Sequence, residues 1–416
     1  MSGFAAFARR MWELQRLGAP PRLTLRVLRW MVRFTAREFA FQYAFVDAVV
    51  VAVLAASGAI ESTAGLVAAV VFAVLFGFEA RLAWDSWRSA GAVARELADL
   101  PSGPDALRFP RSHLFLPFLM LFASRVKHVR GVVYHRENGK RVRLDVYLPK
   151  RRSEARRPAV IQVHGGGWIV GSRLEQGIPL LNHLAANGWV GFNIDYRLSP
   201  PATMPDHVID VKRAIAWVRE HADEYGVDPD RICITGGSAG GHLTALAALT
   251  ANDPELQPGF EDADTSVAAA VPFYGVYDFT DPDRIYAPGI RDWLLPRVVF
   301  KRPLAGNEDS YRAASPTYRV HEDAPPFLVF HGDRDTLVPV GDARTFVARL
   351  EEASRNPVRY VELPGAEHAF DIFPSLRTAR VVEGIERFLR ATVGPPAGEP
   401  EDGPAERPDP AAVGAD

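Results

Sequence analysis

Apolar residues follow three different rhythms along this chain, changing near residues 125 and 392. Up to about residue 125 they gather in long uncharged runs. From 126 to 392 they alternate between short β-rich runs and helical stripes. From 393 to 416 (VGPPAGEPEDGPAERPDPAAVGAD) large apolar residues almost vanish. That last composition leaves too little to bury and predicts a disordered tail.

The middle region reads as a series of α/β units. Val132–His135 and Arg141–Leu148 predict an antiparallel pair turned at Asn138-Gly139. Strands are expected at Ala159–Val163, Trp189–Asp195, Arg231–Thr235, Val267–Phe273, Phe327–Phe330 and Val358–Leu363. Helical patterns cover Leu174–Asn187, His207–His221, Ala239–Thr250, Gly341–Glu352 and Arg377–Thr392. Alternation of this kind predicts a mostly parallel central sheet with helices on both faces.

The first region holds two uncharged apolar runs, Ala48–Ile60 and Leu66–Phe78, separated by Glu61–Gly65. Each is shorter than the roughly 20 residues a spanning helix needs. Extension back to Phe39 takes in Asp47. Extension forward to Trp84 takes in Glu79 and Arg81, which would have to snorkel or sit at the interface. Three readings follow: a hairpin of two membrane helices over about 39–84, a helical cap or dimer interface, or a non-spanning interfacial anchor. About 40 Arg-studded residues precede the first run, which argues against a cleaved signal peptide. Arginines at 9, 10, 16, 22, 26, 29, 33 and 37 precede the runs, and Arg81, Arg88 and Arg95 follow, whereas the intervening loop has only Glu61. A spanning hairpin would therefore place both flanks in the cytoplasm. The alternative is a soluble cytoplasmic protein. Leu25, Leu28, Val32 and Phe34 alternate with arginines, which suits either a membrane-surface helix or a solvated charged face. Leu114–Ala123, interrupted by Pro117, suits either core packing or contact with an acyl chain or lipid.

Overall composition adds limits. With 48 basic and 50 acidic residues among 416, and a net charge of −2, there is no basic field for nucleic acid. The single cysteine, Cys233, excludes an internal disulfide and reads as a small buried hydrophobe.

The chemistry concentrates in four short stretches. Residues 233–242 read CITGGSAGGH, a G-x-S-x-G between an apolar strand and a helix. A turn this tight needs glycine on both sides of Ser238, and lifts the hydroxyl to the head of a helix as a nucleophile. His164-Gly165-Gly166-Gly167-Trp168 follows the strand Ala159–Val163. Consecutive glycines let bare amides approach a developing oxyanion, so Gly166, Gly167 and Ala239 are the expected donors, with His164 holding the loop. A serine hydroxyl needs a base, and the base an orienting carboxylate, in the chain order Ser, Asp or Glu, His. Of the histidines at 242, 321, 331 and 368, His368 follows the last strand and is the expected base. In HGDRDTLVP, Asp333 and Asp335 compete; Asp335 lies further into the loop and is favoured, with Asp333 suited to capping the turn. The segment Asp278–Tyr318, with Tyr286, Trp293, Leu294, Leu295, Val298, Val299 and Phe300, is expected to form a lid or acyl-pocket wall, with core packing as the rival.

The set HGGGW, GGSAGG, HGDRDTLVP and GAEHAF resembles the hormone-sensitive-lipase-like branch of α/β-hydrolase carboxylesterases and lipases. Gly171-Ser172, Asp195-Tyr196-Arg197-Leu198 and Pro205-Asp206 share that likeness, which covers about residues 130–390. The hydrophobic N-terminal region is similar to that of actinobacterial esterases. The resemblance implies the α/β-hydrolase fold over 126–392 and hydrolysis of small-molecule or lipid esters without metal or cofactor. It assigns the acid to the Asp of Asp335-Thr336-Leu337. The tract after Arg197 lacks the longer acidic-proline pattern of many relatives, so the substrate class stays open. Acyl transfer or peptide cleavage by the same triad is the alternative; a non-catalytic binding module is disfavoured because all three triad residues are present. Oligomeric state is not legible.

Overall fold

A computed structural model describes residues 15–16, 18–101, 108–110, 112–116, 120, 125–137, 139–151 and 153–396. Asn138 of the expected turn, most of the 114–123 run and the tail from 397 onward lie outside the described residues.

The centre is an eight-stranded sheet with the order β1-β2-β4-β3-β5-β6-β7-β8. Its strands are β1 (Val126–Glu137), β2 (Lys140–Pro149), β3 (Arg157–Val163), β4 (Val190–Ile194), β5 (Val227–Gly237), β6 (Ala269–Phe273), β7 (Phe327–Gly332) and β8 (Val358–Leu363). β1 pairs antiparallel with β2, and β2 with β4; every pair from β4 through β3 to β8 is parallel. This is the mostly parallel sheet expected from the alternating pattern. Strands β3, β4, β6 and β7 are buried along their whole length, as parallel strands covered on both faces must be. The first pair extends beyond the expected strands because most of β1 is only half-buried and shows no clean alternation.

Among the described residues, three long helices precede the sheet, α1 (Pro21–Glu38), α2 (Ala40–Ala56) and α3 (Thr63–Glu96), followed by a single turn at Ser112–Phe115. Between and after the strands lie α4 (Ile178–Ala186), α5 (Asp206–Glu220), α6 (Ala239–Leu249), α7 (Val340–Ala353) and α8 (Leu376–Val393), with a short helical turn (Glu308–Ala313) before β7. The α4 pattern was expected from Leu174, but the helix starts at Ile178. Gly177 sits there at φ +75°, where a Cβ would lie 2.3 Å from Gln162 Cγ, so the chain turns before the helix can begin. Within 278–318, Gly289–Val299 forms a π-helix whose Trp293, Leu294, Leu295, Val298 and Val299 are buried. The apolar side chains of this segment are thus packed into the core while residues such as 282–285 and 301–303 stay exposed, and Leu294 borders Gly167.

The N-terminal helices divide in their burial. α2 and α3 pack on each other around a turn at Ala59–Glu61, and Ser62 caps α3 by accepting from Gly65 N at 3.1 Å. The first half of α3 leaves Leu66, Val67, Val70, Val71, Val74, Leu75, Phe76 and Phe78 exposed. Among the described residues α3 is the one helix long and apolar enough by itself to cross a membrane, with 6% of its apolar window buried. Its second half behaves differently: Leu82, Asp85, Ser86, Ser89 and Val93 are buried, and the helix packs on β8 and α8. α1 bends into α2 by 64°. At the bend, Glu38 forms a fully buried ion pair with Arg377 of α8, whose Nε also donates to Ser89 Oγ at 3.0 Å. Burial raises the Glu38 carboxyl while Arg377 and Ser375 oppose that rise; the pair, with Ser375 Oγ donating to Glu38 Oε2 at 2.8 Å, joins α1, α3 and α8.

Cys233 lies in the middle of β5, 1% exposed, and burial pushes its thiol up to about 12. It is therefore a thiol, not a thiolate, at neutral pH. Folded protein at pH 8 is expected to take up no maleimide or disulfide reagent, with one equivalent incorporated only after denaturation. Stoichiometric labelling of the native protein would contradict this placement.

Candidate active site

Parallel strands that all end on one side of a sheet deliver the loops that follow them to one edge. Four such loops meet here, after β3, β5, β7 and β8. Between β5 and α6 the chain reverses at Ser238, which has φ +58° and ψ −121°. A non-glycine residue in this region is strained, by roughly 1–3 kcal/mol. The strain is enforced by contact. A Cβ on Gly240 would lie 2.1 Å from Val163 O, and one on Gly236 2.5 Å from the same oxygen. With those side chains absent, β5 and α6 close on β3 and the Ser238 side chain points out of the turn.

Ser238 Oγ lies 2.8 Å from His368 Nε2, and His368 Nδ1 lies 2.7 Å from Asp335 Oδ2. The consistent pattern has Nδ1–H donating to the carboxylate and the serine hydroxyl donating to Nε2. The second oxygen, Asp335 Oδ1, accepts from the amides of Leu337 (2.9 Å) and Val338 (2.8 Å). The Asp335 side chain is fully buried. Burial alone would raise its carboxyl, but His368 and His331 outweigh that and hold it well below the usual carboxylate range. Asp333, the competing acid, accepts from Gly365 N at 2.7 Å and so fastens the loop that carries His368. His331 Nε2 donates to Val338 O at 3.0 Å, and His242 Nε2 to Ala314 O at 2.7 Å; neither reaches Ser238.

The glycine loop after β3 lies against the same serine. A Cβ on Gly165 would be 3.1 Å from Ser238 Cβ, and one on Gly166, at φ +118°, 2.2 Å from Val170 O. Among the described residues, the amides of Gly166 and Gly167 have no acceptor, and Ala239 N opens α6 without one. His164 is committed to the loop: its Nδ1–H donates to Gly165 O at 2.8 Å and its ring stacks on Tyr196 at 4.4 Å. Tyr196 Oη in turn donates to His164 O at 3.1 Å. Arg173 bridges Asp145 and Asp195 behind the loop, and Arg197 pairs with Asp210 at 2.8 Å. The described residues contain no cluster able to hold a metal ion.

Two contributions were not foreseen. Glu367 joins the acid and base loops: its Oε1 accepts from Thr336 N (2.7 Å), Thr336 Oγ1 (2.9 Å) and His368 N (3.1 Å). Its position beside His368 in GAEHAF was the available signal. The second is α1, for which the sequence carried none. Arg26 Nη1 donates to Thr336 O at 2.7 Å, Trp30 Nε1 to His368 O at 3.0 Å, and Arg37 Nη1 to Gly365 O at 2.8 Å.

The BD-FAE family model matches residues 144–350. The chain is 49% identical over 290 residues to the "Probable carboxylic ester hydrolase LipM" of Mycobacterium tuberculosis, covering 70% of this chain and 67% of that protein. It is 42% identical to "Esterase LipQ" of the same organism, covering 73% and 72%. Among solved structures, the butyrate-bound thermophilic esterase Est2 of Thermogutta terrifontis superposes with a TM-score of 0.55 at 30% identity, over 66% of this chain and 96% of that one.

Removing the Glu367 carboxylate would strand the Thr336 amide, the Thr336 hydroxyl and the His368 amide together. Glu367→Ala is expected to lower unfolding free energy by about 2 kcal/mol or more, read by urea denaturation of the purified protein. A change below about 0.5 kcal/mol, the scale of an ordinary surface substitution, would show that the two loops do not depend on it.

Proposed function

This chain belongs to the carboxylic ester hydrolases of the α/β-hydrolase fold, hormone-sensitive-lipase-like branch, and from that we propose that it works through an acyl-serine formed at Ser238. The observation that carries the reading is the unbroken chain Ser238–His368–Asp335, with spacings of 2.8 and 2.7 Å. His368 Nε2 takes the hydroxyl proton as Ser238 Oγ attacks the ester carbonyl carbon. Asp335 holds the imidazole in the required tautomer and stabilises its charged form. Negative charge develops on the former carbonyl oxygen, where the amides of Gly166, Gly167 and Ala239 donate to it. Collapse breaks the carbon–alkoxy bond, and His368 returns the proton to the departing alcohol. A water molecule then gives its proton to His368 and attacks the acyl carbon, which frees the carboxylic acid and restores Ser238.

The N-terminal helices support a location as well. α2 and the first half of α3 form an apolar hairpin with little buried surface, flanked by arginines and tipped by Glu61. We read it as a membrane hairpin with the catalytic region on the cytoplasmic side. The substrate is then a small-molecule or lipid ester met at that surface.

Two experiments bear on these readings. Ser238→Ala is expected to lower p-nitrophenyl butyrate turnover by at least about 10⁴-fold with the circular dichroism spectrum unchanged; undiminished turnover would falsify the nucleophile. For topology, Cys233 is inert, so Ser62→Cys supplies the single reactive thiol. A membrane-impermeant maleimide is expected to label it on intact cells, whereas Ser153→Cys, on an exposed residue of the catalytic region, is labelled only after lysis. The reverse pattern would invert the assigned sidedness.

A further inference from the structure

Helix α1 has two unlike faces. Leu23, Arg26, Trp30, Phe34 and Arg37 share one stripe at helical spacing, and that stripe faces the catalytic loops. Leu23 packs against Gly289 at the start of the π-helix, with 3.1 Å between its Cβ and one built on the glycine. Arg26 holds the acid loop at Thr336 O. Trp30 and Arg37 hold the base loop at His368 O and Gly365 O, and the Trp30 ring meets the His368 ring edge-on at 6.3 Å. One helix thus touches the π-helical segment, the acid loop and the base loop.

The opposite stripe is Leu25, Leu28 and Val32, exposed by 48%, 54% and 69%. Exposed Arg22, Arg29 and Arg33 flank it. This is the composition of a helix lying in a lipid interface, with apolar side chains sunk among the acyl chains and guanidinium groups at the anionic headgroups. Continuity points to the same partner. The 64° bend at Phe39 turns α1 out of the hairpin direction, which for a hairpin standing along the membrane normal lays α1 closer to the membrane plane, and the buried Glu38–Arg377 pair ties that bend to α8.

Resting on the readings of Ser238, Asp335 and His368 as the triad and of α2 and α3 as a membrane hairpin, we propose that α1 is a membrane-seated positioning helix. Its outer face lies in the interfacial layer of the bilayer, and its inner face, through Arg26, Trp30 and Arg37, holds the acid and base loops in register. The catalytic loops therefore sit directly beneath the lipid surface, separated from it by the thickness of one helix. Contact with the membrane is converted into correct placement of His368.

The test uses the full chain reconstituted in phosphatidylcholine–phosphatidylglycerol vesicles, with p-nitrophenyl acetate as a water-soluble substrate. Trp30→Phe keeps the ring and removes the N–H. It is expected to lower kcat about threefold to tenfold, the scale of one hydrogen bond, with KM unchanged. The triple variant Leu25→Ser, Leu28→Ser, Val32→Ser is expected to lower kcat by a similar factor while still floating with vesicles through its hairpin. Combining it with Trp30→Phe should add little, because both act through one placement. A nitroxide on Leu28→Cys is expected to be more accessible to oxygen than to a water-soluble nickel chelate, a readout that does not depend on catalysis. Wild-type kcat in either the Trp30 variant or the vesicle-bound triple variant would overturn the proposal, as would an aqueous nitroxide. If the wild-type chain fails to float, or Ser238→Ala keeps its turnover, the underlying readings fail and the proposal falls with them; intact flotation and a dead Ser238→Ala confine any failure to α1.

Discussion

The turn at Ser238 is the constraint on which the site depends. It exists because β5, β3 and α6 approach so closely that Gly236 and Gly240 have no room for a Cβ beside Val163 O. That closeness holds a serine at φ +58° and aims its hydroxyl off the sheet edge. The strain costs roughly 1–3 kcal/mol and is offset by burial on either side, since β3, the second half of β5 and all of α6 are buried. The loops after β7 and β8 need only reach the position the turn defines.

Reaching it requires burying polar groups, and their partners explain much of the remaining chemistry. The Asp335 carboxylate is fully enclosed, yet it stays ionised because two histidines and two backbone amides face it. Glu367 collects donors from both loops, and burial raises its carboxyl against their pull. Asp333 pins Gly365, while His164 and Tyr196 brace the glycine loop. An unpaired buried polar group costs more than a made hydrogen bond returns, so each of these links restricts where His368 and the glycine amides can sit.

The N-terminal helices extend this network beyond the sheet. α3 is apolar and exposed in its first half and buried against β8 and α8 in its second. Asp85 and Ser89, near the changeover, touch the base loop at Gly365 and Pro364. The same rigid helix therefore carries the exposed apolar surface and a wall of the catalytic region, and α1 bridges the angle between them.

Much of this was legible in the chain itself. Short apolar runs located the strands and period-3.6 stripes the helices, because strands covered on both faces are apolar throughout and covering helices bury one stripe. The glycines around Ser238 and after His164 announced backbone crowding, and the order of Ser238, Asp335 and His368 followed from the strand ends that present them. The start of α4 at Ile178, the length of β1 and the burial of the π-helix side chains within 278–318 came from packing against residues distant in sequence. So did the roles of Glu367, Arg26, Trp30 and Arg37. Trp30 is 338 residues from His368 along the chain, and no local pattern encodes a contact of that span. Local rhythm and short motifs determined which elements form and which residues are candidates for the chemistry; tertiary packing alone decided which arginines and which tryptophan of an ordinary-looking helix would face the loops of Asp335 and His368.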